Sequence, residues 1–207
     1  MMDNPTRSER SRQAAIQAAF TIIARDGPGQ LTFDAISRES GISKGGLMHQ
    51  FRTKGDVLKA LLEHDIDHFD AFYRRYLTAE GATKTEPNLA AEIATMREAS
   101  GSHNAGGFAI LAALVEDPAL LSAMRDRSGA KVKHIKAEAA DPDLALLRWT
   151  AAWGLLFTAR LGMSPLSDKE RARLFERLLD ESRWTSCTEA PVEVKKKPRI
   201  TRAPSRT

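Results

Sequence analysis

The chain has 207 residues, 42% of them hydrophobic and 28% charged, the balance of one globular domain or two small ones. No apolar run approaches the ~18 residues a membrane-spanning helix needs, and the N-terminal MMDNPTRSERSR lacks the apolar stretch of a secretory signal. Both features point to a cytoplasmic protein. A single cysteine, Cys187, excludes an intramolecular disulfide framework and a multi-cysteine zinc site.

Charge is unevenly spread. The net charge is +4, and residues 185–207, with six Lys or Arg against two Glu, account for all of it. Residues 6–54 hold eight basic and four acidic side chains, whereas residues 55–184 hold 17 basic and 20 acidic. A basic first quarter on a slightly acidic body is the pattern of a polyanion-facing module joined to a body with another task.

Periodicity predicts an all-α fold. Ile16, Ala19, Phe20 and Ile23 share one face of a first helix, which the cluster Arg25-Asp26-Gly27-Pro28-Gly29 ends. Thr32 reads as the N-cap of a short helix carrying Phe33 and Ile36, with Gly41 as its C-terminal glycine. Ser43 caps a second short helix holding Leu47 and Phe51. Thr53-Lys54-Gly55-Asp56 has capping-box spacing and opens a long helix with Val57, Leu58, Leu61, Leu62, Ile66, Phe69, Phe72, Tyr73 and Tyr76 inward. Gly81–Pro87 breaks it.

Leu89, Ile93 and Met96 then mark one helix, Ser100–Gly107 a break, and Phe108–Val115 a short apolar helix. Asp117-Pro118 and Asp141-Pro142 each combine an N-cap with a proline at the first helical position. The segment from Asp141 to Leu161 is apolar on nearly every face, so it must be covered on both sides; a second copy of the chain is the economical cover for the outer one. Ser167-Asp168-Lys169-Glu170 is another capping box, opening a helix with Leu174, Phe175, Leu178 and Leu179. Residues 185–207, with three prolines and a lysine run, read as a disordered basic tail.

Two short helices joined at Gly41, with Ile36, Ile42, Leu47 and Phe51 spaced to pack against each other and Ser37 small at the close approach, form a helix-turn-helix pattern. The wider set is a ~20-residue amphipathic helix, the glycine break, Leu31-Thr32, Ile36, Gly41-Ile42-Ser43, Lys44-Gly45, Leu47, Phe51 and Lys54. Over Ser8–Leu62 it resembles the DNA-binding region of TetR/AcrR-family transcriptional regulators. The resemblance implies an N-terminal three-helix DNA-binding domain over 1–54 and a larger helical body over 55–184 that binds a small-molecule effector and dimerises. It also implies a homodimeric repressor on a palindromic operator in double-stranded DNA, with no membrane partner and no cofactor.

Residue roles follow from the match and from chemistry. Lys44, first in the recognition helix, reaches a phosphate or a guanine edge. Ser43 caps that helix and leaves amides for phosphate. Gly45 and Gly46 allow close backbone approach to the groove at a cost of ~1 kcal/mol each in helix propensity. His49 lies on the exposed side, and Thr32 and Lys54 match family positions that touch backbone phosphates. Met48 stands where the family usually has a tyrosine whose hydroxyl meets phosphate, a bond methionine cannot make; it is left to touch a thymine methyl or nothing. Gly55 replaces the usual acidic residue, with Asp56 beside it, and Ser37 and Ser40 stand where alanines are common.

In the body, Phe72, Met96, Phe108, Trp149, Trp153 and Phe157 are candidates for an apolar effector pocket, with His103 and Asn104 as polar gates; core packing is the competing role for the aromatics. His64 and His68 have metal-capable spacing, but Ile66 and Phe69 define the buried side, which makes Glu63–His68 a solvated face. No phosphate loop, GxGxxG or HExxH motif occurs, so nothing points to an enzyme. The alternative is a helical ligand- or protein-binding dimer that has lost specific DNA binding, which Met48 and the glycine pair favour.

Overall fold

The computed structural model describes residues 6–101, 117 and 119–184. Among them are eight α-helices and no strand, as the periodicity requires. They are α1 (Arg7–Asp26), α2 (Phe33–Ser40), α3 (Lys44–Gln50), α4 (Lys54–Thr78), α5 (Pro87–Gly101), α6 (Ala119–Glu138), α7 (Pro142–Arg160) and α8 (Asp168–Leu179). Residues 1–5, 102–116, 118 and 185–207 lie outside the described residues. With them lie the apolar Phe108–Val115 segment, His103, Asn104, Cys187 and the basic tail.

The helix starts are where side-chain chemistry sets them. Thr6, Thr53 and Ser167 each close a full capping box, with Glu9, Asp56 and Glu170 reaching back to the cap backbone. Thr32, Ser43 and Asp141 accept from the third helical amide. Each cap satisfies a donor that a helix N-terminus otherwise leaves unpaired.

Two apolar clusters form. The first joins α1, α2, α3 and the start of α4 around Ile16, Ile22, Ile23, Leu31, Ile36, Leu47, Phe51, Val57, Leu58 and Leu61, with Leu120 at the start of α6 packed on its edge. The second joins the end of α4 to α5, α6, α7 and α8 around Leu89, Ile93, Ile135, Ala152, Leu156 and Phe175. Helix α4 spans both: Val57, Leu58, Ala60, Leu61 and Leu62 are buried near its start and Tyr76 near its end.

Helix α5 is the centre of the body. Every residue from Leu89 to Met96 is buried, including Glu92, which is 3% exposed. Helix α7 buries Ala145, Arg148, Ala152, Leu156 and Arg160 on its inner face. Arg148 there donates to the Leu178 carbonyl and to Glu86, tying α7 to α8 and to the start of α5. On the outer side Leu147 is 67% exposed, so the helix does carry apolar groups on both sides.

The stretch Glu63–His68 departs from a fully solvated face. Asp65 is pinned by Arg160, whose guanidinium makes paired bonds of 2.9 and 3.2 Å to its two oxygens. His64 Nε2 meets Gln13 Nε2 at 2.9 Å, and its ring lies 5.7 Å from that of Phe20. These polar residues face α1 and α7 rather than water alone, because α4 is flanked by helices on more than its apolar side.

Candidate nucleic-acid interface and body cavity

The turn between α2 and α3 is built residue by residue. Gly41 takes the left-handed conformation, φ 72°, which a Cβ would strain. Ser37 Oγ donates to the Ile42 carbonyl at 2.6 Å, and the Ile42 amide donates to Ser40 Oγ at 3.2 Å. Both serines that replace common alanines thus hold the backbone of one turn residue. Leu47, fully buried, anchors α3 in the first cluster and turns its other side outward.

That outward side carries Ser43, Lys44, Gly45, Met48 and His49, all exposed. Lys44 Nζ pairs with Asp34 at 2.9 Å, so the leading cation of α3 rests on α2. Met48 is 53% exposed and is an uncovered apolar side chain on this surface. A Cβ on Gly45 would meet nothing within 4 Å, whereas one on Gly46 would lie 3.2 Å from Ile42 Cγ2 and 3.3 Å from Ser43 Oγ. A side chain at Gly46 would thus press on the Ile42 and Ser43 side chains, and Gly45 leaves the outer backbone bare. Thr32 uses its hydroxyl to cap α2, accepting from Ala35 N at 3.1 Å. Lys54 donates to the Pro28 carbonyl at 3.2 Å, fixing the start of α4 against the turn after α1. Arg12 stacks over the Phe51 ring at 4.8 Å, and Gln50 donates to Ser8 at 2.8 Å, locking α3 to α1. The surface carries a cation resting on an aspartate, a stretch of backbone bare of side chains at Gly45, and an apolar tip.

The second feature is a cavity of about 150 Å³ in the body, walled by α4, α5, α6 and α7. Met96, Trp153 and Phe157 line it; Phe72 and Trp149 do not. Phe72 stacks on Tyr76, and Trp149 Nε1 is directed to Glu92 at 3.4 Å. Trp153 and Phe157 stack, with ring centroids 5.0 Å apart and planes at 25°. Leu62, Ile66, Phe69 and Leu156 complete the apolar lining.

Sequence reading missed the ionic part of this wall. Asp65, Asp70, Glu92, Arg127, Lys131 and Arg160 all line it. Lys131 lies 2.5 Å from Glu92 and 3.7 Å from Asp70; Arg127 also pairs with Asp70; Arg160 holds Asp65. The one available signal was Glu92, a carboxylate inside an otherwise apolar helix. Nearby, burial and the Glu92 charge push the Tyr73 hydroxyl up to about 12, so it stays protonated and donates to Asn88 at 2.6 Å. Among the described residues no group of three or more His, Cys, Asp or Glu side chains is arranged to hold a metal ion, and no helix is long and apolar enough to cross a membrane.

A helix-turn-helix unit with an exposed, cation-led second helix, joined by one long helix to a body with an apolar cavity, defines a DNA-binding regulator. Residues 15–61 match the model for bacterial regulatory proteins of the tetR family. Residues 86–183 match the model for a tetracyclin repressor-like C-terminal domain. The chain belongs to the TetR family of transcriptional regulators, a family of DNA-binding proteins and not of enzymes. A search of curated protein sequences found no match.

Solved structures share the fold at low identity. A TetR-like transcriptional regulator from Rhodococcus sp. RHA1 is 18% identical with a TM-score of 0.61, over 85% of this chain and 96% of that one. The multidrug binding protein EbrR, complexed with ethidium, is 20% identical with a TM-score of 0.56, over 81% and 97%. The superantigen PfiT is 22% identical with a TM-score of 0.60, over 84% and 97%.

Proposed function

We propose that the protein is a cytoplasmic, ligand-responsive repressor that binds a palindromic operator as a homodimer and is released by a small-molecule effector in the body cavity. Residues 1–54 form the DNA-binding domain, 55–184 the effector and dimerisation body, and 185–207 a basic tail. The recognition surface consists of Ser43, Lys44, Gly45, Gly46, Met48 and His49, flanked by Thr32 and Lys54. The observation that carries the reading is the position of α4. Its first turns belong to the core under the recognition helix, and its middle, through Leu62, Asp65, Ile66, Phe69 and Asp70, is a wall of the cavity.

An occupant of that cavity presses on the same rigid element that carries the DNA reader. An effector that prefers a tilted α4 moves the two recognition helices out of register with half-sites ~34–36 Å apart. A coupling of ~1–3 kcal/mol is enough for regulation. Ethidium in the cognate EbrR complex supports a small aromatic effector in this fold. Dimerisation through α7 and α8 is supported by the exposed Leu147 and Met163, 67% and 65% accessible.

The test is binding to DNA upstream of the protein's own gene, with random competitor, at several salt concentrations. Specific binding survives competitor, and its affinity falls log-linearly with salt in proportion to the phosphates neutralised. Lys44→Ala is expected to cost about 1–3 kcal/mol per half-site and to leave the dimer intact. A variant that binds as tightly as wild type removes the recognition-helix assignment. Exposed Met48, in place of a phosphate-binding tyrosine, favours the alternative of a ligand- or protein-binding dimer without specific DNA binding; competitor-sensitive binding throughout leaves that reading and an operator elsewhere in the genome.

A further inference from the structure

Resting on the effector reading above, we infer that the cavity takes an uncharged, compact apolar ligand, about one aromatic ring in size, and that Lys131 sets this preference by filling the place a cationic ligand would need. Size and polarity come first. A cavity of about 150 Å³ holds a molecule like benzene or toluene. Its apolar lining comes from four helices: Ile66 and Phe69 on α4, Met96 on α5, Met124 on α6, and Leu156 and Phe157 on α7.

Charge decides the rest. Lys131 Nζ lies 2.5 Å from Glu92 and 3.7 Å from Asp70, and 4.9 Å from the centre of the Tyr73 ring. Carboxylates and an aromatic face are what a protein presents to an organic cation. Here the chain's own ammonium fills that place. It is tethered, so a free cation competes with a group held permanently at high local concentration. The other charges of the wall are matched as well: Asp70 also meets Arg127, and Asp65 is held by Arg160.

An anion fares no better. It has to draw Lys131 away from Glu92, which is 3% exposed and sits in the fully buried stretch of α5. The other oxygen of Glu92 faces the Trp149 indole N–H at 3.4 Å. A carboxylate left buried without its cation is costly. A neutral apolar ligand disturbs none of these pairs.

The experiment uses the full chain and three one-ring probes: toluene; N-methylpyridinium, which has the same shape with a positive charge; and benzoate. Calorimetric titration of wild type is expected to show toluene binding about tenfold or more tighter than either ion, the scale of one charged interaction broken. Lys131→Met bares Glu92 and is expected to raise the affinity for N-methylpyridinium, relative to toluene, about tenfold, with no such gain for benzoate. Glu92→Gln leaves Lys131 in excess and is expected to favour benzoate in the same way, with no gain for N-methylpyridinium. The two variants shift the charge in opposite directions, so a general loosening of the fold reproduces neither pattern. The wild-type ranking and Glu92→Gln still decide the matter if Lys131→Met folds poorly. An ion bound by wild type as tightly as toluene, a folded variant without its expected gain, or no binding of toluene overturns the inference. Toluene is then added to the protein–DNA complex. Toluene binding by the criteria above with no change in DNA affinity upholds the ligand class and overturns the effector role.

Discussion

At Ile42 a single residue has both of its backbone polar groups held by serines from α2, Ser37 on the carbonyl and Ser40 on the amide. Alanines at these positions leave that turn to glycine geometry and packing alone; here hydrogen bonds pin it as well. Two residues further on, Lys44 is pinned too, by Asp34. Both partners are more than half exposed, so the pair is weak, and in the proposed complex a DNA phosphate competes with it. Asp34→Asn frees the lysine and removes an anion from the surface facing DNA. It is expected to tighten operator binding about two- to fivefold, the worth of an exposed ion pair, as read by a gel-shift or anisotropy titration at low salt. Unchanged or weaker binding would show that Lys44 depends on Asp34 for its placement.

Among the elements, α4 carries the most tension between local and global demands. Its start depends on the Thr53 capping box, in which Asp56 accepts from the Arg52 and Thr53 amides at 2.9 Å each. Thr53→Ala is expected to cost about 1 kcal/mol in a denaturant titration. The Thr53 amide, foremost, holds the Asp56 carboxyl below its ordinary value of 3.8. Because the folded-state value is depressed, the stabilisation is complete above 3.8 and is lost as pH falls through the lower folded value. Thermal melts of wild type and Asp56→Asn are therefore expected to differ at neutral pH and to converge in strong acid. Midway along the same helix, Asp65 answers Arg160, which is 7% exposed and also donates from Nε to the Ala99 carbonyl at 3.1 Å. Asp65→Ala leaves that guanidinium buried with only part of its partners and is expected to cost about 3 kcal/mol by urea unfolding; a loss under 1 kcal/mol would show that the Ala99 carbonyl and its other contacts suffice.

Over the whole molecule, two apolar clusters share one continuous helix, and α6 touches both, through Leu120 at its start and Ile135 near its end. Both units are held by caps, packing and ion pairs, but the pairs of the N-terminal unit are exposed (Lys44–Asp34, Arg25–Glu39) whereas those of the body include buried arginines (Arg148–Glu86, Arg160–Asp65). The outer side of α7 is the uncovered apolar surface, and Leu147, 67% exposed, is its most accessible large residue. Leu147→Glu is expected to shift the protein from dimer to monomer in sedimentation and to weaken operator binding, with the helical content unchanged. A dimer that persists would place the interface elsewhere.

Helices α1 to α4 were legible in the sequence because each is punctuated locally. Thr32, Gly41, Ser43 and Thr53-Asp56 act within a few residues of themselves, and such short-range chemistry is written in the chain order. The same holds for Asp141-Pro142 and Ser167–Glu170. The all-α class and the outward Lys44, Met48 and His49 follow from those boundaries plus a 3.6-residue period. The cavity was half legible. Met96, Trp153 and Phe157 stand out as large apolar residues, but nothing local separates them from Trp149 and Phe72, which the fold turns to other partners. The ion pairs were illegible, since Glu92 and Lys131, or Asp65 and Arg160, are 39 and 95 positions apart. Periodicity states which face of a helix is apolar. Only tertiary packing decides which charges from distant helices meet across a low-dielectric gap and which of the large apolar side chains wall the cavity.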